Sequence, residues 1–337
     1  MSDPFTLETD PKAPRQPVPA ADGADFLKNV PGFSLVRKGG TSGEPVLRGL
    51  TGSRLNILQG GAEVLGGCPG RMDPPTAYLY PQTFDKVTVI KGPQTVLYGG
   101  GNLAGTVLFE RRTERFSEAG SRVFGSVLAG SYGRNDQVLD AAVGAEPGFL
   151  RLIGTRSAAD NYKDGNGTKV HSEFERWSGT VIAGWTPTAD TRLEFTLERS
   201  DGEAAYADRG MDGVAFDRTG YAIKLEQRNI SPLVQQVEAQ AYHQYVDHVM
   251  DNFSLRQPPG MMKMVSNPDR ETNGGRLSVQ LLPSAATQLT LGADFREDEH
   301  TGRMASSPLN ATPTLGKRNL DMTAEQVGFF AQLQYSA

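Results

Sequence analysis

Two short motifs contain the residue types best suited to binding a soft metal ion. In Cys68-Pro-Gly-Arg-Met72 a thiol and a thioether lie four positions apart, and the sequence has no second cysteine with which Cys68 could form a disulfide. Residues at this spacing share one face of a helical turn, and Pro69 suits the first position of such a turn. A thiolate and a thioether are both soft ligands, so the motif favours Cu(I) over harder cations.

The second motif, His248-Val-Met250, lies near the end of a predicted strand, Val234–Phe253. Because alternate residues of a strand face the same side, His248 and Met250 share a face with the polar residues of this strand, and the apolar residues take the other face. An imidazole and a second thioether extend a soft ligand set. Each residue alone would not support a metal site, because a lone Cys or Met more often packs in a core and a lone His more often joins a polar network.

The two motifs fall in parts of the chain that differ in character. Residues 1–21 are polar and proline-rich, as in a flexible extension. Residues 22–115 combine a short helix, short strands and glycine-rich turns, which predicts a small mixed α/β domain. From residue 121 to residue 337, about ten segments alternate in polarity, as strands with one apolar and one polar face do.

The connections between the predicted strands are alternately short and long. This alternation is typical of an outer-membrane barrel, which has short periplasmic turns and long external loops. A soluble β-sandwich offers no reason for its long loops to collect at one end. The predicted strands are Arg122–Tyr132, Asp136–Ala145, Phe149–Ala158, Phe174–Thr186, Arg192–Ser200, Arg218–Asn229, Val234–Phe253, Glu271–Leu282, Gln288–Glu297 and Glu325–Tyr335.

Composition and motifs argue against several other classes of protein. The net charge of -5 argues against a nucleic-acid-binding protein, which should be basic. No run of about 18 apolar residues is present, so no transmembrane helix is expected. The sequence also lacks a nucleophile elbow, a phosphate-binding loop and a His/Cys cluster with zinc spacing, so we do not expect an enzyme.

Five segments of residues 22–115 form a specific set that resembles the plug of TonB-dependent outer-membrane receptors. The resemblance implies a mixed α/β plug followed by a transmembrane antiparallel β-barrel of about 22 strands, of which about ten are visible here. The chain is therefore expected to be the N-terminal part of a longer protein. The segments are Asn29-Val-Pro-Gly-Phe33, Leu47-Arg-Gly-Leu50, Ser53-Arg-Leu-Asn56, Val87-Thr-Val-Ile-Lys-Gly-Pro-Gln-Thr-Val-Leu-Tyr-Gly99 and Ala104-Gly-Thr-Val-Leu-Phe-Glu110.

The same resemblance implies partners and a location. It implies TonB, with its inner-membrane energising complex, as the partner that drives transport. It also implies contact with lipid and a place in the outer membrane of a Gram-negative bacterium. Phe5-Thr-Leu-Glu-Thr9 is a candidate for the segment that contacts TonB.

Within this family the chain resembles the copper receptors of the OprC/NosA type more than the siderophore receptors. Cys68, Met72, His248 and Met250 match the ligand pattern of those copper receptors. The resemblance implies a single copper ion, as Cu(I), held between plug and barrel wall as transported cargo. The alternatives are a receptor for a siderophore or another metal chelate, a structural barrel without cargo, and a redox role in which the Cys68 thiolate reduces Cu(II).

Overall fold

The computed structural model describes residues 5–13, 20–37 and 39–335, which fold into two parts. The N-terminal part contains a five-stranded mixed sheet and a separate two-stranded hairpin, and the C-terminal part is a ten-stranded sheet. Every pairing within the larger sheet joins strands that follow each other in the sequence. The predicted fold class, a mixed α/β domain followed by a large antiparallel sheet, is confirmed.

The described residues of the N-terminal part form one short helix and seven short strands, the first of which lies near the chain start. The sheet order is β1-β6-β7-β4-β5, in which β4 and β7 run parallel, and β2 pairs only with β3. The elements are β1 (Thr6–Thr9), α1 (Gly23–Leu27), β2 (Phe33–Arg37), β3 (Gly43–Leu47), β4 (Leu55–Gln59), β5 (Ala62–Glu63), β6 (Lys86–Lys91) and β7 (Gly105–Glu110), with 3-10 turns at Gly52–Arg54, Pro75–Tyr78 and Pro81–Thr83.

Local signals and apolar burial explain this small domain. Helix α1 begins after Asp22, whose carboxylate accepts a hydrogen bond from the Asp25 backbone N–H at 2.7 Å, as an N-cap does. The apolar residues of β6 and β7 are almost fully buried, and with α1 they form one hydrophobic core. The members of this core include Phe26, Leu27, Leu79, Phe84, Val87, Val89, Val107 and Phe109.

The N-terminal extension is partly ordered, which corrects the expectation of a flexible segment over residues 1–21. Residues Thr6–Thr9 form β1 and pair antiparallel with β6. The physical reason is that β6 would otherwise present an open sheet edge with unpaired backbone groups. The proline-rich residues 14–19 lie outside the described residues.

The C-terminal sheet consists of ten antiparallel strands in sequence order. Short connections (146–147, 186–190, 229–233 and 285–286) alternate with longer ones (160–173, 205–211, 252–261 and 309–318). The strands are β8 (Gly120–Ala129), β9 (Asn135–Ala145), β10 (Gly148–Ala159), β11 (Phe174–Trp185), β12 (Thr191–Ala204), β13 (Asp212–Arg228), β14 (Val234–Asp251), β15 (Met262–Ser284), β16 (Thr287–Pro308) and β17 (Asn319–Tyr335).

Strands β15 and β16 are much longer than the sequence predicts. Their pairing continues from Ser284 and Thr287 out to Met262 and Pro308. The extra length lies in segments that were predicted to be connections between strands. These outer segments do not alternate between apolar and polar residues as a lipid-facing strand does, so the polarity pattern could not reveal them.

The large sheet curves around the N-terminal domain and touches it from both ends. On β9, the Asp140 carboxylate accepts a hydrogen bond from the Lys12 ammonium at 2.7 Å. On β17, Gln332 accepts one from the Thr95 hydroxyl at 2.9 Å. In the middle of the sheet, Gln240 of β14 donates to the Gly60 carbonyl at 3.0 Å. Thus the inner face of the sheet encloses the small domain.

Within the part of the chain that the structure describes, no helix has both the length and the apolar composition needed to cross a bilayer.

Candidate metal centre

The loop that carries Cys68 is shaped by one buried carboxylate. Asp73 accepts hydrogen bonds from the backbone N–H groups of Gly67 and Cys68, at 2.6 and 2.8 Å, and from the Tyr78 hydroxyl at 2.6 Å. A Cβ at position 66 would collide with the backbone oxygen of Asp73, so the close approach of the two loop strands needs Gly66. These contacts fix the conformation in which Cys68 is presented to the barrel wall.

Cys68 to Arg71 form a tight turn rather than the helical turn that the sequence predicts. The Cys68 carbonyl accepts a hydrogen bond from the Arg71 backbone N–H at 2.9 Å, and Pro69 takes the second position of the turn, where it is favoured. Arg71 has a φ of 54°, which ends the turn in the left-handed region. Its guanidinium donates to both carboxylate oxygens of Glu44, at 2.7 and 2.8 Å, and so ties the turn to β3.

His248 is fully buried on the inner face of β14, as its predicted strand parity requires. Its Nδ1 lies 2.8 Å from the Ala215 carbonyl, to which it donates a hydrogen bond. Its Nε2 has no hydrogen-bond partner among the described residues. A hydrogen bond that fixes the proton on one ring nitrogen leaves the lone pair of the other free for a metal. The ring also packs on Phe216, with centroids 4.6 Å apart.

The barrel wall and the plug loop bring three of the four predicted ligands together. The Cys68 Sγ and the Met250 Sδ are 3.8 Å apart. Ligand atoms of Cys68, His248 and Asp73 all lie within 4.8 Å of one another. Met72, the fourth predicted ligand, follows the same plug turn and packs against the hydrophobic core. Its backbone carbonyl accepts a hydrogen bond from the Tyr206 hydroxyl at 3.1 Å.

The surroundings of Cys68 determine its protonation. Burial raises the pKa of the Cys68 thiol above its ordinary value, and the neighbouring Asp73 carboxylate adds to that rise. The thiol is therefore protonated at neutral pH until a cation displaces the proton. Metal ligation by this cysteine requires the thiolate, so binding is coupled to proton release.

Two residues at the site were missed by the sequence analysis. Asp73 was not assigned a role, although an Asp at the end of a glycine-rich turn is a known signal for backbone capping. His300 is absent from the predicted ligand set, but it is buried on β16 and its Nε2 donates to the Gly67 carbonyl at 2.6 Å. Only the three-dimensional register of β16 places His300 against the Cys68 loop.

The remaining two histidines lie away from the cluster. His171, in the long connection 160–173, contacts the Asp212 carboxylate at 3.0 Å. His243, on the opposite face of β14 from His248, contacts the Asn273 side chain at 2.9 Å. Their omission from the predicted ligand set agrees with these positions.

Comparisons with known proteins bear on both the fold and the site. A family model, the TonB-dependent Receptor Plug Domain, matches residues 11–106. The solved structure of the copper transporter OprC is 49% identical, covers 99% of this chain and 52% of its own, and superposes with a TM-score of 0.96. The ferric citrate transporter FecA is 15% identical, with coverage of 94% and 51% and a TM-score of 0.69, so that likeness shows the fold alone.

Among curated proteins, a hemin receptor of Yersinia pestis is 29% identical over 119 residues, which is 34% of this chain and 17% of that receptor. The chain spans about half the length of the structures it matches. A plug domain enclosed by a curved antiparallel sheet is the arrangement found in plugged β-barrel receptors. The match over residues 11–106 and the likeness to OprC over nearly the whole chain indicate a TonB-dependent receptor of the OprC type.

Proposed function

We propose that this receptor imports copper across the outer membrane of a Gram-negative bacterium and binds one copper ion between plug and barrel wall. The ligands in this proposal are Cys68, Met72, His248 and Met250. One observation carries it: the Cys68 thiol and the Met250 thioether meet 3.8 Å apart, beside the unpartnered Nε2 of the buried His248.

The distance between the two sulfur atoms suits a shared ion. Two ligands of a tetrahedral ion at metal–sulfur distances of about 2.3 Å lie about 3.8 Å from each other. The Cys68 Sγ and Met250 Sδ have that separation without any rearrangement. A thiolate, thioethers and an imidazole form a soft set, which favours Cu(I) as the bound state.

The Asp73 carboxylate is a less suitable ligand than the sulfur atoms. It already accepts three hydrogen bonds from the Cys68 loop and Tyr78. A carboxylate is also a hard ligand, better matched to other cations. We therefore assign Asp73 to positioning Cys68 rather than to holding copper.

The outer face of the large sheet supports a location in lipid. Val127, Phe329 and Leu333 are 77%, 85% and 64% exposed on strands at the two ends of the sheet. Outward apolar side chains of this kind form the lipid-facing band of a transmembrane barrel. In this setting TonB, energised from the inner membrane, would pull on the plug and release the ion inward.

Copper is favoured over a chelated metal by the degree of similarity. The similarity to a protein named as a copper transporter extends over nearly the whole chain, and the ferric-chelate transporters share only the fold. The hemin receptors match over about a third of the chain. The buried ligands of the site suit a bare ion, because His248 is completely covered and Met250 is 6% exposed.

The copper site is tested by metal analysis of the full-length receptor purified from copper-supplemented cells. The variants are Cys68→Ala and His248→Ala, and the matched control is His243→Ala, which removes a histidine from the opposite face of the same strand. We expect about one copper per chain in the wild type and the control. We expect loss of copper in the two site variants, because a single ion has few protein ligands and each variant removes one of them.

Other outcomes would decide against the proposal. Copper retained by both Cys68→Ala and His248→Ala would show that the ion binds elsewhere. Chelate-dependent uptake that survives Cys68→Ala, in cells with TonB, would support a chelate receptor instead. Copper uptake that persists in cells without TonB would remove TonB as the partner.

A further inference from the structure

Tyr206 occupies the place where the external loops meet the plug. It follows β12, is completely buried and belongs to the same hydrophobic core as the plug residues. Its hydroxyl donates to the Met72 backbone carbonyl at 3.1 Å and lies 3.2 Å from the Ser42 hydroxyl. A loop residue of the barrel therefore directly holds the backbone of a proposed copper ligand.

The Tyr206 ring is closely packed by residues of both the plug and the barrel. A Cβ at Gly39 would collide with the ring, so the plug backbone approaches Tyr206 as closely as a glycine allows. On the barrel side, a Cβ at Gly213 would lie 3.1 Å from the Tyr206 hydroxyl. The ring cannot shift without moving either the plug or the start of β13.

The backbone of Tyr206 is held by a polar cluster that joins three loops. The Tyr206 N–H donates to the buried Asp212 carboxylate at 2.9 Å, and its carbonyl accepts from Arg256 at 2.7 Å. Arg256 also donates to Asp212 at 2.7 Å, and His171 contacts the same carboxylate at 3.0 Å. We call Tyr206, Asp212, Arg256 and His171 the loop clasp. It links connections 160–173, 205–211 and 252–261.

We propose that Tyr206 is a positioning residue that couples the copper ligand Met72 to the loop clasp, so that binding of the ion stabilises the clasp. This inference rests on the proposed copper site. When the Met72 thioether binds the ion, its backbone is fixed, and the Tyr206 hydroxyl transmits that restraint to the loop clasp. Conversely, an intact clasp holds the Met72 backbone in place and slows release of the ion.

The test compares the full-length wild-type receptor with Tyr206→Phe and with Tyr245→Phe. Tyr245 is a matched control, because its hydroxyl also donates a hydrogen bond, at 2.7 Å to Asp269, but on the outer side of the sheet. Each receptor is loaded with Cu(I), and release to a competing Cu(I) chelator is followed over time. Loss of one hydrogen bond should speed release roughly fivefold in Tyr206→Phe and leave the control unchanged.

A second measurement separates coupling from a simple loss of structure. Hydrogen exchange of residues 205–211 is measured with and without Cu(I). We expect Cu(I) to slow this exchange in the wild type and in Tyr245→Phe, but not in Tyr206→Phe. Equal slowing in all three receptors, or equal release rates, overturns the coupling.

The copper site and the coupling fail in different ways. If the wild type binds no Cu(I), or if Cys68→Ala binds it as well as the wild type, the site is wrong and the coupling falls with it. If Cys68→Ala loses Cu(I) while Tyr206→Phe behaves as the wild type, the site stands and the coupling is wrong.

Discussion

Copper affinity should depend on pH through a single group, the Cys68 thiol. Burial raises the pKa of this thiol above its ordinary value, with a further contribution from Asp73. Between pH 7.5 and 8.5 the copper-free site therefore holds the proton, and each bound ion must displace it. Displacement of one proton makes the association constant rise about tenfold per pH unit, or about 1.4 kcal/mol. The affinity stops rising once the pH exceeds the raised pKa.

The measurement is a competition titration of the full-length receptor against a Cu(I) chelator of known pH dependence. The logarithm of the association constant, plotted against pH, should have a slope of about one. Cys68→Ala supplies the control, because any residual binding should show no slope in this range. A flat profile for the wild type would mean that Cys68 is already a thiolate or is not a ligand, and would refute the reasoning.

Three further predictions concern the plug and its contacts with the sheet. Arg151 is 1% exposed and pairs with Asp85 and Asp140 at 2.9 and 2.6 Å. Changing Arg151 to Met should lower the free energy of unfolding by about 3–5 kcal/mol. The same change at the exposed Arg156, on the same strand, should lower the free energy of unfolding by at most about 1 kcal/mol. Thermal unfolding of the two variants in detergent compares these effects. Burial alone would raise the pKa of Asp85, but the bonds from Arg151 and Lys12 outweigh it and hold that pKa below its ordinary value. The contribution of Asp85 to stability is therefore complete above about pH 4 and is lost as the pH falls further. Measurements of unfolding between pH 5 and pH 3 test this. A contribution that increases as the pH falls would contradict the reasoning. Asp73→Asn should weaken Cu(I) binding by about tenfold or more, since it removes a charged acceptor of three hydrogen bonds, and an unchanged Cu(I) titration would show that Asp73 does not shape the loop.

Polarity alternation was enough to find every strand of the large sheet. In β12, Leu193, Phe195 and Leu197 take one face and charged residues the other, so the period of two is visible directly. The outer halves of β15 and β16 lack this period, and they are held by pairing with each other and with parts of β14 and β17. Strand β1 was missed for another reason: four residues beside a proline-rich segment form a strand only because the edge of β6 is available.

The ligand candidates could be chosen from chemistry and spacing, but their surroundings could not. The parity of β14 put His248 and Met250 on the inner face, and the structure buries both there. The contacts of Tyr206 with Met72 and of His300 with Gly67 join residues more than a hundred positions apart. No local pattern encodes such contacts, because they depend on how the plug is seated in the sheet.

The pairing of β1 with β6 determines the order in which a mechanical load would act. Lys12 follows β1 directly and bonds to both Asp85 of the plug and Asp140 of the sheet. A pull delivered before Thr6 must first separate the four residue pairs of β1 from β6. Only then does tension reach Lys12 and the junction between plug and wall. The short strand and the lysine thus resist in series, and the edge pairing is loaded before the junction between plug and wall.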